Sequence, residues 1–300
     1  MSYKKNSANI WYSQNKIINK KLLRRLVDQS SVSEGDLVYD IGAGSGAISE
    51  ALLNKGARVI AFETDGRLYQ KCRQQFAIHD KYEIHNMDFL DWKFPQGQRF
   101  KVFSNIPFIQ TADIVNKIVF NKDPPEDGYL IIQKEAAEKY AGNLRETLVS
   151  LLIKPIFWVD IIYYFERNDF FPVPLVDIVL LQIEKRRCQL IPEQHYGLYK
   201  DFVIYCREGS NRTIKKSLKH LVTYSQLKQL SRLMNIDYQS TPSELNFMQY
   251  LSIFQFYLGN NPRNTALIRG TEQRLHEQQA NRVKKHRTTS KARQYRHDDL

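Results

Sequence analysis

The stretch DIGAGSG, residues 40–46, decides the architecture. It follows a short apolar run, LVYDI (37–41), and leads into AISEALLNKG (47–56), which has helical spacing and ends on a glycine. Strand, glycine cluster and helix in that order describe a loop at the carboxyl end of a parallel strand. Glycines at 42, 44 and 46 let the backbone turn sharply and approach a ligand with no Cβ in the way. RVIAF (58–62) predicts the next strand, and Glu63 ends it, followed by Thr64. An acid there is placed to bind both hydroxyls of a ribose. The same loop satisfies the dinucleotide fingerprint with Ala47 in the third position, so NAD and other adenosine-bearing cofactors both stay open at this point.

Outward from the loop, strands are expected over 82–89, 100–108 and 128–134, with helices between them, including 112–120. That alternation implies a parallel sheet with helices on both faces. Two further apolar runs, 157–165 and 176–184, bracket NDFFPVP and suit an antiparallel pair at the sheet edge. Residues 16–29 read as an amphipathic helix. After KRR (185–187) the pattern turns helical, as in 211–221 and 243–258, and beyond about 268 the chain becomes polar. The expected organisation is an α/β domain over 1–185, a small helical domain over 186–267 and a basic, disordered tail over 268–300.

The chain has 300 residues and a formal net charge of +12, which favours a polyanionic partner, above all nucleic acid. Cys72, Cys188 and Cys206 are widely spaced and form neither a metal-ligand cluster nor a disulfide framework, which fits a reducing cytoplasm. No apolar run approaches the length of a membrane span, and no metal is expected.

Two further features carry chemistry. Asp88, in NMDFLDW (86–92), follows the third strand, where an acid can accept from an adenine amino group while Phe89 packs nearby. The fourth strand ends in Asn105-Ile106-Pro107-Phe108, at the edge where open α/β sheets bind ligands. The lone pair of an exocyclic amine is delocalised into its base. An Asn side-chain oxygen and a backbone carbonyl beside proline can accept both amino hydrogens and aim that lone pair at an electrophile. Phe108 would stack on the flat base.

With these residues assembled, the chain resembles the ribosomal RNA adenine N6-methyltransferases, both the Erm type and the small-subunit dimethyladenosine transferases. YSQN (12–15), DIGAGSG, FETD (62–65), NMDFLDW, SNIPF (104–108) and FFPVPLV (170–176) carry the resemblance, and SNIPFIQTADIVNKIVF is similar to the Erm branch. The resemblance implies that 1–185 is a Rossmann-like, S-adenosylmethionine-dependent methyltransferase catalytic domain and 186–267 a smaller C-terminal helical domain that binds RNA, the protein acting as a monomer. It implies that Gln14 and Asn15 contact the methionine end of the cofactor. Gly42, Gly44 and Gly46 pass along it, Glu63 and Thr64 hold its ribose, and Asp88 and Phe89 hold its adenine. Asn105, Ile106 and Pro107 orient the target N6, Asn105 also contacting the cofactor, with Phe108 on one face of the base and Phe170 approaching the other. The implied substrate of the Erm branch is an adenine in the peptidyl-transferase region of 23S rRNA, whose methylation blocks macrolide, lincosamide and streptogramin B binding. A 16S rRNA dimethyltransferase shares every motif named, and a non-catalytic nucleic-acid-binding relative is a further alternative. Val173 and Leu175 stand where family members often carry Lys or Arg, which puts one phosphate contact in doubt.

Overall fold

The computed structural model describes residues 15–208, 212–260 and 262–278. Gln14 and residues 279–300 therefore lie outside the described residues. The chain divides into two compact units, one taking the chain up to Leu144 and again from Ile156 to Cys188, the other Arg145–Pro155 and the chain from Gln189 on.

The first unit is built on a seven-stranded sheet. In chain order its strands are β2 (Leu37–Ile41), β3 (Arg58–Phe62), β4 (Tyr82–His85), β5 (Lys101–Asn105), β6 (Asp127–Gln133), β7 (Phe157–Tyr164) and β9 (Ile178–Lys185). They lie side by side as β4-β3-β2-β5-β6-β9-β7. The first five are mutually parallel, while β9 runs antiparallel to both β6 and β7. The expected antiparallel edge pair is therefore present. The central strands read as unbroken apolar runs because both their faces are covered. On one face Val38, Val59, Ala61, Phe103 and Ile131 pack with α1 (Lys20–Gln29) and α2 (Ala47–Asn54). On the other, Tyr39 and Phe62 meet edge-on at 5.8 Å, with Trp92 against both rings.

Helix α1 starts later than its apolar spacing suggests. Asn19 caps it by accepting from Leu22 N–H at 3.0 Å. The residues before it form a two-residue strand, β1 (Lys16–Ile17), paired antiparallel with β8 (Phe170–Phe171). The remaining helices of this unit are α3 (Gly66–Gln75), α4 (Thr111–Val119) and α5 (Lys134–Ala141).

The second unit packs α6 (Leu148–Ile153), α7 (Glu193–Arg207), α8 (Ile214–Leu218), α9 (Tyr224–Met234) and α10 (Phe247–Asn260) around Tyr199, Phe202 and Phe254. The hydroxyls of Tyr199 and Tyr196 donate to the carbonyls of Leu151 and Leu152 at 3.0 and 2.7 Å. These bonds explain why residues 145–155 pack in the second unit, where the sequence suggested an unbroken first domain. The expected disorder beyond 268 also needs correction over its described part. Residues 271–278 are helical, Ile268 and Thr271 are buried, and Asp201 of α7 accepts from the N–H groups of Gly270 and Glu272 at 2.9 and 2.8 Å. Ile268 supplies the apolar anchor that a count of charges overlooks. No helix among the described residues is long and apolar enough to cross a membrane.

Candidate functional site

The carboxyl ends of β2, β3 and β5 converge on the glycine loop. Gly42, Gly44 and Gly46 all have positive φ, at 79°, 57° and 82°. The loop is pinned where Gly42 and Ala43 N–H donate to the Phe62 carbonyl at 2.8 and 3.0 Å. A Cβ on Gly46 would sit 2.6 Å from the Phe76 ring, so this third glycine serves the packing of loop against helix rather than ligand approach.

Two openings flank the loop and share Gly42 and Pro107 in their walls. The first, about 500 Å³, is lined by Asn15, Gly44, Asn105, Ile106 and Phe108 among others. The second, about 310 Å³, is lined by Glu63, Thr64, Asp88, Phe89 and Gln110 among others. Apart from Gly46, Phe170 and the undescribed Gln14, the sequence-derived candidates thus fall into two groups joined through one glycine and one proline.

Glu63 is only 2% exposed. Its Oε2 accepts from Gly44 N–H at 2.8 Å and its Oε1 from Asp65 N–H at 2.9 Å. Each carboxylate oxygen keeps a second acceptor position for a ligand hydroxyl. Asn86 donates to the Glu63 carbonyl at 2.8 Å and fixes the strand end. Asp88 accepts from Leu90 N–H at 2.9 Å and from the Gln110 side chain at 3.0 Å. Asn86 and Gln110 were not legible as site residues, because a lone amide beside a motif carries no distinguishing pattern.

Behind the loop lies a buried polar group the sequence also hides. Asp40 is fully buried and accepts from the Ser49 hydroxyl at 2.7 Å, while its Oδ1 has no partner among the described residues. Burial, with the Glu63 charge adding, pushes its carboxyl up to about 7 against the opposing Ser49 bond. Cys72, buried beside it, donates to the Gly44 carbonyl at 3.4 Å and has its thiol pushed up to about 11, chiefly by burial.

At the other opening, the Asn105 side-chain N–H donates to the Asn15 carbonyl at 2.8 Å. That bond commits the amide nitrogen and presents Oδ1 as the end that can accept. The Pro107 carbonyl is engaged by Gln110 N–H at 3.0 Å, which leaves the Ile106 carbonyl as the second candidate acceptor. The Asn15 side chain itself donates to the Pro172 carbonyl at 2.7 Å. Three motifs separated by up to 157 positions are therefore joined through one asparagine. Phe170 is placed differently from its expected position against a base. It is 1% exposed, sits edge-on to Phe165 at 5.2 Å in the core and does not line the opening. Its neighbour Phe171, 67% exposed, presents the free ring of that strand.

The family described as ribosomal RNA adenine dimethylase matches residues 5–258. An rRNA adenine N-6-methyltransferase of Enterococcus faecalis is 28% identical over 257 residues, spanning 86% of this chain and 99% of its own length. The ribosomal RNA small subunit methyltransferase A of Mycoplasmopsis pulmonis is 24% identical over 249 residues, spanning 81% of this chain and 96% of its own. The crystal structure of the 23S rRNA methyltransferase ErmE superposes with a TM-score of 0.75 at 23% identity, over 81% of this chain and 99% of that one, which establishes the fold. The chain belongs to the ribosomal RNA adenine dimethylase family and has the fold of an S-adenosylmethionine-dependent methyltransferase.

Proposed function

We propose that this enzyme methylates N6 of an adenine in the peptidyl-transferase region of 23S rRNA, and so confers resistance to macrolides, lincosamides and streptogramin B. The observation that carries the adenine assignment is Asn105, held by Asn15 at an opening that shares Gly42 and Pro107 with the Glu63–Asp88 opening. S-adenosylmethionine supplies an electrophilic sulfonium methyl when bound. Glu63 accepts the ribose hydroxyls, Asp88 the adenine amino group, and the backbone of Gly42 and Gly44 follows the chain of the cofactor. Asn105 Oδ1 and the Ile106 carbonyl accept the two hydrogens of the target amine, which points the nitrogen lone pair along the line of attack. Phe108 supports one face of the base. No strong base is required, because the alkylated nitrogen is acidic enough to release its proton to water.

The 23S reading is supported by the Erm-like run SNIPFIQTADIVNKIVF, while relatives named rRNA adenine N-6-methyltransferase at 26–28% identity support an rRNA adenine as target. The small-subunit relative at 24% identity favours 16S rRNA as the second reading. Purified 23S and 16S rRNA would be methylated in parallel and the N6-methyladenine mapped, alongside erythromycin sensitivity of cells with and without the protein. Methylation of 23S rRNA with raised erythromycin tolerance is expected. Activity confined to 16S rRNA transfers the assignment to the small subunit.

A further inference from the structure

The segment Phe171–Val176 exposes an apolar surface that the chemistry above leaves unused. Phe171 is 67% exposed, Val173 55% and Leu175 92%, with Val176 partly exposed beside them. Ile109, next to the cleft-lining Phe108, is 85% exposed. Soluble proteins seldom leave several large apolar side chains exposed together unless something covers them. Pro172 and Pro174 restrict the backbone, so the side chains are held in display.

What covers them follows from where the segment is anchored. Phe171 pairs with Lys16, and the Pro172 carbonyl is held by Asn15, the residue that also holds Asn105. Whatever presents an adenine to Asn105 therefore comes against this lip. The lip's own side chains offer no cation to phosphate, although Lys16 stands opposite Phe171 across the β1–β8 pair. No Lys or Arg occurs from Asn168 to Glu184, and Asp177 at its end is paired with Arg167 at 3.0 Å. The lip's apolar side chains themselves suit the flat faces of bases and the apolar edges of sugars. Those faces are covered in a continuous helix and open in a loop or bulge.

We infer that the Phe171–Val176 lip binds the unstacked bases flanking the target adenine, and so selects RNA in which those neighbours are unpaired. The inference rests on the reading that the target adenine lies within rRNA, and it is decided separately from which rRNA that is.

The test is a two-by-two cycle on a short RNA hairpin carrying the mapped adenine, taken from whichever rRNA the wild-type enzyme methylates. One axis is V173S/L175S, two exposed positions outside the catalytic and cofactor residues. The other replaces the two flanking nucleotides by abasic ones. On the intact hairpin the double variant is expected to lose about tenfold in kcat/KM, with S-adenosylmethionine affinity and Tm unchanged. The wild type should lose a similar factor on the abasic hairpin, where the variant loses little more. Full activity of the variant on the intact hairpin overturns the inference, and so do equal losses on both hairpins. Methylation of 16S in place of 23S rRNA changes the target named above, and the cycle then decides the inference on the 16S hairpin in the same way. Methylation of neither overturns both.

Discussion

Asn105 ends an otherwise buried strand, where the proposed chemistry asks for an acceptor. If its Oδ1 accepts from the target amine, Asn105→Ala should lower kcat by about a hundredfold or more, the usual effect of removing one preorganised polar contact. Binding of S-adenosylmethionine, measured by calorimetry, should change less than twofold; a fall in affinity matching the fall in rate would place Asn105 with the cofactor instead. Asp40 makes a different prediction. Its carboxyl is raised from 3.8 in the open chain to about 7 in the fold. A raised carboxyl costs the folded state stability as pH climbs from about 4 through 7, because the native fold resists losing that proton. Asp40→Asn keeps an acceptor for Ser49 and removes the titration. Its Tm should exceed that of the wild type by several degrees at pH 8, with a smaller gain at pH 5. Equal gains at both pH values would show that Asp40 is not the titrating group. At this scale Glu63 and Asn105 were legible because each is a polar residue at the end of a buried strand, and Asp88 because it lies in the segment after the strand that follows Glu63. Asp40 was not, since nothing in DIGAGSG says how deeply the first residue is buried. Nor did FF at 170–171 reveal which ring faces inward, which only the pairing with β1 decides.

Among the elements, the glycine loop and the helices behind it form one packed object. Gly46 meets Phe76 at 2.6 Å for any added Cβ, and its φ is 82°. Gly46→Ala combines a left-handed backbone penalty with overpacking, so a loss of about 2–4 kcal/mol is expected in urea unfolding. Adding Phe76→Leu should recover part of that loss; no recovery would mean the strain lies in the backbone alone. Strands β2, β3 and β6 were readable almost to the residue, because burial on both faces leaves a continuous apolar signature, whereas β4 and β5 stop four and three residues before their expected ends. The β1–β8 pair left no such mark. Two-residue strands are too short for any periodicity, and their partners lie about 150 positions apart. Yet this pair carries Asn15 to its meeting with Asn105 and Pro172, so the least legible element organises the most chemical part of the site.

For the whole molecule, the net charge of +12 sets the terms of RNA affinity. Lys and Arg contacts to phosphate release counterions, so log K for rRNA fragments should fall linearly with log salt, by about 0.7–0.9 per contact. Reversing Lys20, Lys21, Arg24 and Arg25 of α1 to Glu tests whether that helix contributes. A shallower slope is expected, and an unchanged slope removes α1 from the footprint. The α/β class and the helical second part were visible in the sequence as a change of period. The route of the chain between them was not, because the apolar helix α6 gives no sign of which core will take it.

That route bears on how the protein can be taken apart. The chain leaves the first unit at Arg145, lends α6 to the second, and returns at Ile156 to lay down β7 and β9. A cut after Cys188 would not release a clean catalytic fragment. It would strand Leu151 and Leu152 without Tyr199 and Phe202, leaving a sticky helix in the middle of the shortened chain. Replacing residues 145–155 by a short polar bridge at the same time would remove that liability. Compared side by side, the two truncated proteins should differ in solubility before they differ in cofactor affinity.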